Sequence, residues 1–291
     1  MKRTVLLPLF SIMIFLTLIA LGCSQNKEEV SQDVVEQPEN IEEADPTIET
    51  DSEQPAVRIV VGERSPGFPG AKAHFSNLKD GDVLEDSKLS VVVDVENYEL
   101  GIQTDTPRAQ EIANSGKGQH AHIILDNDPY FANYESGKPF DIGILDEGPH
   151  TLLVFPSRSY HESVKDSGSV DIANFYIGKQ EGEFMLDESK PTIIYSRPKG
   201  KYEGHGAEKI MLDFYLINAE LGDDFKAKYT IRKNEANAEE YSITLYEWNP
   251  AFVTGLTSGE YIVTLQLLDK DGNLVDGPFN NTERKITVVT Q

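Results

Sequence analysis

Three histidines and one glutamate are the residues of this chain whose types and spacing could bind a metal ion. His120 and His122 are separated by one residue, and His161 is followed directly by Glu162. Imidazole and carboxylate groups are ligands of zinc, and imidazole also suits copper(II). The four side chains therefore predict a zinc or copper site, provided that the fold brings the two segments together.

The segments that carry these residues are predicted to be β-strands. The run from Gln119 to Leu125 is mostly apolar, and side chains in a strand alternate between faces, so His120 and His122 should share one face. A second strand is predicted from His150 to about Phe155, and the loop after it carries His161.

The remainder of the chain predicts an all-β fold with a duplicated domain. Short alternating strands are separated by Gly, Pro, Asn and Asp turns, which is typical of an antiparallel sandwich. Residues 91–100 align with residues 212–221, matching at an Asn, a Glu and a closing Leu. We therefore predict two tandem immunoglobulin- or fibronectin-like sandwiches, residues 57–182 and 183–291.

A corner motif supports this fold class. Leu256, Gly259 and Tyr261 have the spacing that precedes strand F in immunoglobulin-like domains, where the tyrosine hydroxyl bonds back to the chain. His150 stands at the matching place of the first domain. We expect its imidazole to make the same structural bond, at the end of the sandwich away from the other histidines.

Topology then predicts that the histidines meet. In an immunoglobulin-like sandwich, the loop before strand C and the loop after strand F lie at the same pole. The start of the 119–125 strand should thus lie beside the loop that carries His161 and Glu162.

Two other interpretations of this pole remain open. Arg158 and Tyr160 lie in the same loop and favour an anionic or sugar-like ligand. Alternatively, the polar side chains only form a hydrogen-bond network that orders a long loop. The second domain lacks these histidines, so we expect it to be a spacer or a surface for a partner.

The absence of catalytic motifs and the negative charge argue against two classes of function, enzymes and nucleic-acid-binding proteins. The sequence holds no Gly-x-Ser-x-Gly, no His-Glu-x-x-His and no glycine-rich phosphate loop, so no enzyme is predicted; an envelope enzyme acting on glycans is the remaining alternative. The formal net charge is -23, with no basic stripe, which excludes nucleic acid as a partner. A glycan, a protein or a metal cation agrees better with this charge, and no other cofactor is expected.

The N-terminus predicts export and a lipid anchor. Lys2 and Arg3 precede an apolar run, and Ala20-Leu21-Gly22-Cys23 resembles the lipobox of bacterial lipoproteins. That resemblance implies removal of residues 1–22 and acylation of Cys23, the only cysteine, so the protein should be held at the membrane by lipid. In a cell with two membranes, Ser24 after the cysteine predicts the outer membrane.

An acidic tether should follow the anchor. Residues 23–56 are rich in Glu, Asp, Gln and Pro, with few apolar residues. Such a segment cannot bury enough apolar surface to offset the entropy of ordering, so it is predicted to be disordered and extended by charge repulsion.

From about residue 57 onward the chain resembles a group of bacterial envelope lipoproteins with tandem immunoglobulin-like domains and no assigned activity. The motifs that carry the resemblance are Gly118-Gln119-His120-Ala121-His122, Leu125-Asp126-Asn127, the run 156–163 and Tyr195-Ser196-Arg197-Pro198-Lys199-Gly200. The resemblance implies a lipid-anchored, non-catalytic binding or assembly protein of the cell envelope. A metal-binding accessory protein that uses the histidines is the alternative.

Overall fold

A computed structural model describes residues 56–290 of the chain. The predicted signal peptide, Cys23 and all of the tether but its last residue lie outside the described residues. Lipidation and tethering therefore stay predictions.

The described residues are almost entirely β-strands. Up to residue 177 the strands are β1 (Arg58–Val61), β2 (Lys72–Phe75), β3 (Val83–Leu84), β4 (Lys88–Glu96), β5 (His120–Leu125), β6 (Tyr130–Asn133), β7 (Pro139–Ile144), β8 (Gly148–Ser157) and β9 (Asp171–Ile177). The later strands are β10 (Thr192–Arg197), β11 (Gly200–Glu203), β12 (Lys209–Ile217), β13 (Phe225–Lys233), β14 (Glu240–Leu245), β15 (Ala251–Thr254), β16 (Gly259–Asp269) and β17 (Asn281–Val289).

Two helices of one turn each interrupt the strands, α1 (Arg108–Glu111) and α2 (His205–Glu208). Within residues 56–290, no helix has the length and apolar character needed to cross a membrane.

The first sandwich packs a three-stranded sheet, β2-β4-β7, against a five-stranded sheet, β3-β9-β8-β5-β6. Alternate residues of the strands point inward and form its core, including Val91, Ile123, Val154 and Phe175, which are fully buried. Pairing is antiparallel except at the edge, where β3 runs parallel to β9.

The second sandwich repeats this arrangement with a four-stranded sheet, β1-β15-β12-β10, and a five-stranded sheet, β11-β17-β16-β13-β14. Its core includes Leu212, Tyr229 and Val263, and β11 runs parallel to β17 at the corresponding edge. The predicted all-β sandwich class is confirmed. Strand β1, Arg58–Val61, pairs with β15, so the chain contributes to the second sandwich before it builds the first.

Apolar residues from both sandwiches also pack against each other. Ile124 and Phe155 of the first sandwich form a buried cluster with Ile194 and Tyr215 of the second. The rings of Phe155 and Tyr215 stack with centroids 4.9 Å apart. Residues 56–290 therefore lie within one compact unit, and the two sandwiches share a buried boundary.

The structure also supports the predicted corner bonds. The Tyr261 hydroxyl donates to the carbonyl oxygen of Thr257 at 3.0 Å and accepts from the Thr257 amide at 3.1 Å. In the first sandwich, His150 Nε2 makes the same bond to the carbonyl oxygen of Asp146 at 2.9 Å, while its Nδ1 contacts Asp126. His150 is thus a structural residue, away from the other histidines of that sandwich.

We expect Tyr261→Phe to lower the free energy of unfolding by about 1–2 kcal/mol, because it leaves the Thr257 amide without its partner. Urea unfolding measures the change. Tyr241→Phe is the matched control, since the Tyr241 hydroxyl bonds only to the exposed carboxylate of Glu239. Equal unfolding curves for the two variants would contradict a stabilising role for the corner bond.

Candidate metal site

Strand β5 places two imidazoles side by side at the pole of the first sandwich. His120 and His122 are two residues apart on the strand, so their rings project from the same face. Their Nε2 atoms lie 2.9 Å apart, and both residues are fully buried.

The loop after β8 brings a third imidazole to the same point. His161 Nδ1 lies 3.1 Å from His120 Nε2. One ring nitrogen from each of the three histidines lies within 4.8 Å of the other two. We call His120, His122 and His161 the histidine cluster.

The backbone at His161 is in a conformation that most residues avoid. Its φ is 71°, in the left-handed region, which costs a non-glycine residue about 1–3 kcal/mol and recurs at functional sites. A tight turn holds this conformation, because the His161 amide donates to the carbonyl of Arg158 and the Arg158 amide donates to that of Glu162. The turn directs the imidazole of His161 toward β5.

A tyrosine from the neighbouring strand completes the ring of polar atoms. The Tyr130 hydroxyl, at the start of β6, lies 2.5 Å from His122 Nε2. Burial raises the pKa of Tyr130 to about 12. The cluster thus has three nitrogen atoms and one neutral phenol oxygen directed to a common point.

The second sandwich contributes two cations to this site. The guanidinium of Arg197, at the end of β10, donates to His161 Nδ1 at 2.7 Å and to the Tyr130 hydroxyl at 3.0 Å. Lys199 donates from Nζ to the carbonyl oxygen of Tyr130 at 2.8 Å, and its Nζ lies 4.3 Å from the centre of the Tyr130 ring. The site therefore lies at the boundary between the two sandwiches.

Hydrogen-bond partners assign the protons on two of the rings. The carbonyl oxygen of Gly118 can only accept, so His120 Nδ1, at 2.9 Å from it, carries the proton and Nε2 presents a lone pair. Arg197 can only donate, so His161 Nδ1 also presents its lone pair. These two acceptor nitrogens face each other at 3.1 Å, so no hydrogen bond joins them, and a cation between them would bind both lone pairs.

The histidine cluster is held neutral, as metal ligands must be. Burial lowers the pKa of His120 to about 4. Burial also holds the pKa values of His122 and His161 well below the ordinary histidine range, and the charge of Arg197 lowers both further.

Gly118 is required for this geometry. Its φ is 86°, and a Cβ built on it would lie 2.4 Å from the carbonyl oxygen of Ile102. No other residue fits there without moving the chain. The carbonyl that orients His120 is thus supplied by a position where only glycine is tolerated.

Glu162 does not join the histidines, contrary to the predicted ligand set. Its carboxylate accepts from the Ser65 amide at 3.0 Å, the Ser65 hydroxyl at 2.6 Å and the Arg108 guanidinium at 2.7 Å. The side chain is fully buried with these partners. The turn at His161 sends adjacent side chains in different directions, so only the imidazole reaches β5.

Arg158 and Tyr160, predicted as ligand contacts, are buried and hydrogen-bonded within the protein, and Arg158 also lines a cavity of the first sandwich. The Arg158 guanidinium donates to the carbonyl oxygens of Ser163 and Pro66. The Tyr160 hydroxyl bonds to that of Ser65 at 2.8 Å. Neither side chain contacts the histidine cluster.

A separate cavity of about 760 Å³ opens on the first sandwich. Its walls include the aromatic rings of Phe68 and Tyr98, which meet edge to face at 4.7 Å, together with Ile102 and Gln119. The walls also include the charged side chains of Glu99, Asp105 and Arg158, so the cavity suits an organic molecule with both apolar and polar groups.

Comparison with known proteins yields only distant likenesses to solved structures. No protein-family model and no curated protein matches this chain. Similar solved structures include the fibronectin(III)-like modules of Clostridium thermocellum CbhA, with 12% identity over 75% of this chain and 94% of that chain and a TM-score of 0.26. The FN1–FN3 domains of chicken CNTN1 show 10% identity over 79% of this chain and 68% of that chain, with a TM-score of 0.25.

These TM-scores are below 0.5, so the likeness says nothing about the site. The sheet order and pairing described above show the sandwich fold directly.

Proposed function

We propose that this protein is a metal-binding accessory protein that holds one copper or zinc ion through His120, His122 and His161. The observation that carries the proposal is the pair of unprotonated ring nitrogens, His120 Nε2 and His161 Nδ1, 3.1 Å apart. Two ligand atoms on one tetrahedral zinc ion lie about 3.3 Å apart, given bonds of 2.0–2.1 Å. An ion between these nitrogens would replace a repulsive contact by two coordinate bonds.

The ligand types narrow the choice of metal. Imidazole suits zinc, copper, nickel and iron, whereas calcium and magnesium require oxygen ligands. Among residues 56–290, no carboxylate or thiol joins the histidine cluster. Copper and zinc are therefore the ions to test first.

We further propose that the module is non-catalytic and stands away from a membrane surface. The support is in the sequence: Cys23 follows a lipobox-like segment, and the acidic residues up to 56 form the tether. Acylated at Cys23, the protein would present its metal site in the cell envelope, and the outer membrane is the proposed location.

A second candidate function is binding of a glycan or another organic ligand in a protein of the same envelope location. The cavity beside Phe68 and Tyr98 favours it. This function requires no metal, so a titration of the protein with metal ions separates the two candidates.

The test is calorimetric titration of the purified, metal-free protein with zinc and with copper(II), and under anaerobic conditions with copper(I). We expect one ion per chain for at least one of these metals, and a rise in melting temperature when the ion is bound, because a ligand of the folded state stabilises it. Absence of stoichiometric binding for all three would refute the metal function and leave the cavity as the site to study.

A further inference from the structure

Fixed positive charge surrounds the histidine cluster, and this is unusual for a site that would hold a cation. Arg197 lies 2.7 Å from His161 Nδ1, which is one of the ligand atoms. Lys199 lies over the ring of Tyr130, the residue whose hydroxyl contacts His122. Both cations come from the end of β10 and the turn that follows it.

The acids that lie nearest along the chain are engaged elsewhere. Glu162, next to His161, is paired with Arg108 at 2.7 Å. Asp213, on β12, is paired with Lys165 at 2.5 Å. Burial lowers the pKa of Lys199 to about 8, and the carboxylate of Asp128, which does not belong to the histidine cluster, partly opposes this shift. Within the described residues, the ligands are therefore three neutral imidazoles and a phenol, with no anionic ligand among them.

This charge distribution acts differently on ions of different charge. The repulsion between a bound ion and a fixed cation scales with the charge of the ion, so a divalent ion is repelled twice as strongly as a monovalent ion at the same position. Many zinc sites include a carboxylate or thiolate ligand that offsets part of the charge of the ion. The histidine cluster has no such anionic ligand, and the cations Arg197 and Lys199 lie beside it instead.

The number of ligands points in the same direction. Zinc bound by three protein ligands completes its four-coordinate shell with a water molecule or a substrate, whereas copper(I) is satisfied by two or three ligands. The histidine cluster supplies three nitrogen atoms, and the fourth polar atom is the Tyr130 hydroxyl, which already accepts a hydrogen bond from Arg197 at 3.0 Å.

We propose that Arg197 and Lys199 make the histidine cluster selective for copper(I) over zinc and copper(II). The inference rests on the proposed metal-binding function and specifies its ion. Arg197 also occupies the lone pair of His161 in the metal-free site, so it must release that nitrogen when the ion binds. The guanidinium of Arg197 can then stay near the site through its hydrogen bond to the Tyr130 hydroxyl.

The test measures the ratio of two affinities in the protein and in charge-removing variants. Copper(I) affinity is obtained anaerobically by competition with bicinchoninate, and zinc affinity by competition with a chromophoric chelator. We expect copper(I) to bind at least about 100-fold more tightly than zinc. Arg197→Gln and Lys199→Gln should each narrow that ratio by about 10-fold or more, mainly by strengthening zinc binding.

Lys201→Gln is the matched control. Lys201 lies two residues from Lys199 but is exposed and paired with Glu203 at 2.5 Å, so the ratio should not change. Lys199→Gln removes a partly exposed side chain and keeps the test valid if the buried Arg197 proves necessary for folding.

The outcomes are distinct. If neither copper(I) nor zinc binds stoichiometrically, this inference is refuted, and the proposed metal function fails as well if copper(II) also does not bind. If zinc binds as tightly as copper(I) or more tightly, the function stands and the selectivity is refuted. If copper(I) is preferred but neither Arg197→Gln nor Lys199→Gln narrows the ratio, the role of the two cations is refuted.

Discussion

His120→Ala is expected to abolish stoichiometric metal binding and to leave the sandwich folded. His120 Nε2 is the central atom of the cluster, 2.9 Å from His122 Nε2 and 3.1 Å from His161 Nδ1. Loss of groups that only orient a metal ligand weakens binding by about 10- to 100-fold, so loss of a ligand should weaken it by more than about 100-fold. His161→Ala should have a similar effect, and isothermal titration with copper(I) and zinc measures both.

The chain contains its own controls for this prediction. Of six histidines, three lie outside the cluster: His74, His150 and His205. His74 and His205 are exposed and contact only surface acids and a backbone carbonyl, so His74→Ala and His205→Ala should bind metal with unchanged affinity. In nuclear magnetic resonance spectra, an added ion should shift the ring signals of the three cluster histidines and not those of the other three. Retention of full affinity in both His120→Ala and His161→Ala would show that the ion binds elsewhere.

The fold followed from sequence patterns that act locally. Alternation predicted the strands that became β4 and β16, because one face of each strand is buried and the other is not. The alignment of residues 91–100 with 212–221 also had a structural basis. Asn97 and Asn218, which match in that alignment, end equivalent strands and both adopt a positive φ, 52° and 47°. Asparagine tolerates this conformation better than most residues. The same turn after both strands therefore explains why asparagine occurs at this position in both halves of the alignment.

The site could be predicted only where strand geometry determined it. Alternation placed His120 and His122 on one face, and the common pole of two loops brought His161 to them. Glu162 was predicted wrongly because the direction of its side chain depends on the left-handed backbone of His161, which sequence does not reveal for a non-glycine residue.

Three polar side chains at the site escaped the prediction. Tyr130 lies opposite Ile124 in the hairpin of β5 and β6, so the contact of its hydroxyl with His122 is diagonal and depends on strand register. Arg197 and Lys199 belong to the other sandwich, which was expected to be a spacer or a partner surface. Their one signal was a short basic run in an acidic chain, and nothing local connects that run to the histidines.

Removing one partner of the buried pair Lys165–Asp213 is expected to destabilise the protein by about 3–5 kcal/mol. Lys165 Nζ lies 2.5 Å from Asp213 Oδ1, and both side chains are almost completely buried, 1% and 0% exposed. Lys165 follows the loop of the first sandwich that carries His161, and Asp213 lies on β12 of the second. Asp213→Asn would leave an ammonium group buried without its counter-charge, and Lys165→Met would leave a carboxylate in the same position.

The double variant Lys165→Met, Asp213→Asn distinguishes charge from packing. It removes both charges, while the amide oxygen can still accept from the Ser163 amide, which now bonds to Asp213 at 3.0 Å. The double variant should therefore be more stable than either single variant, since the main penalty in each single variant is an uncompensated charge. Urea unfolding measures all three, with Lys138→Met as the control, because the Lys138–Glu135 pair is exposed and should contribute little. Additive losses in the double variant would mean that the two residues stabilise the boundary through packing alone. Because Lys165 lies four residues after His161, a single variant that loosens this boundary should also weaken metal binding.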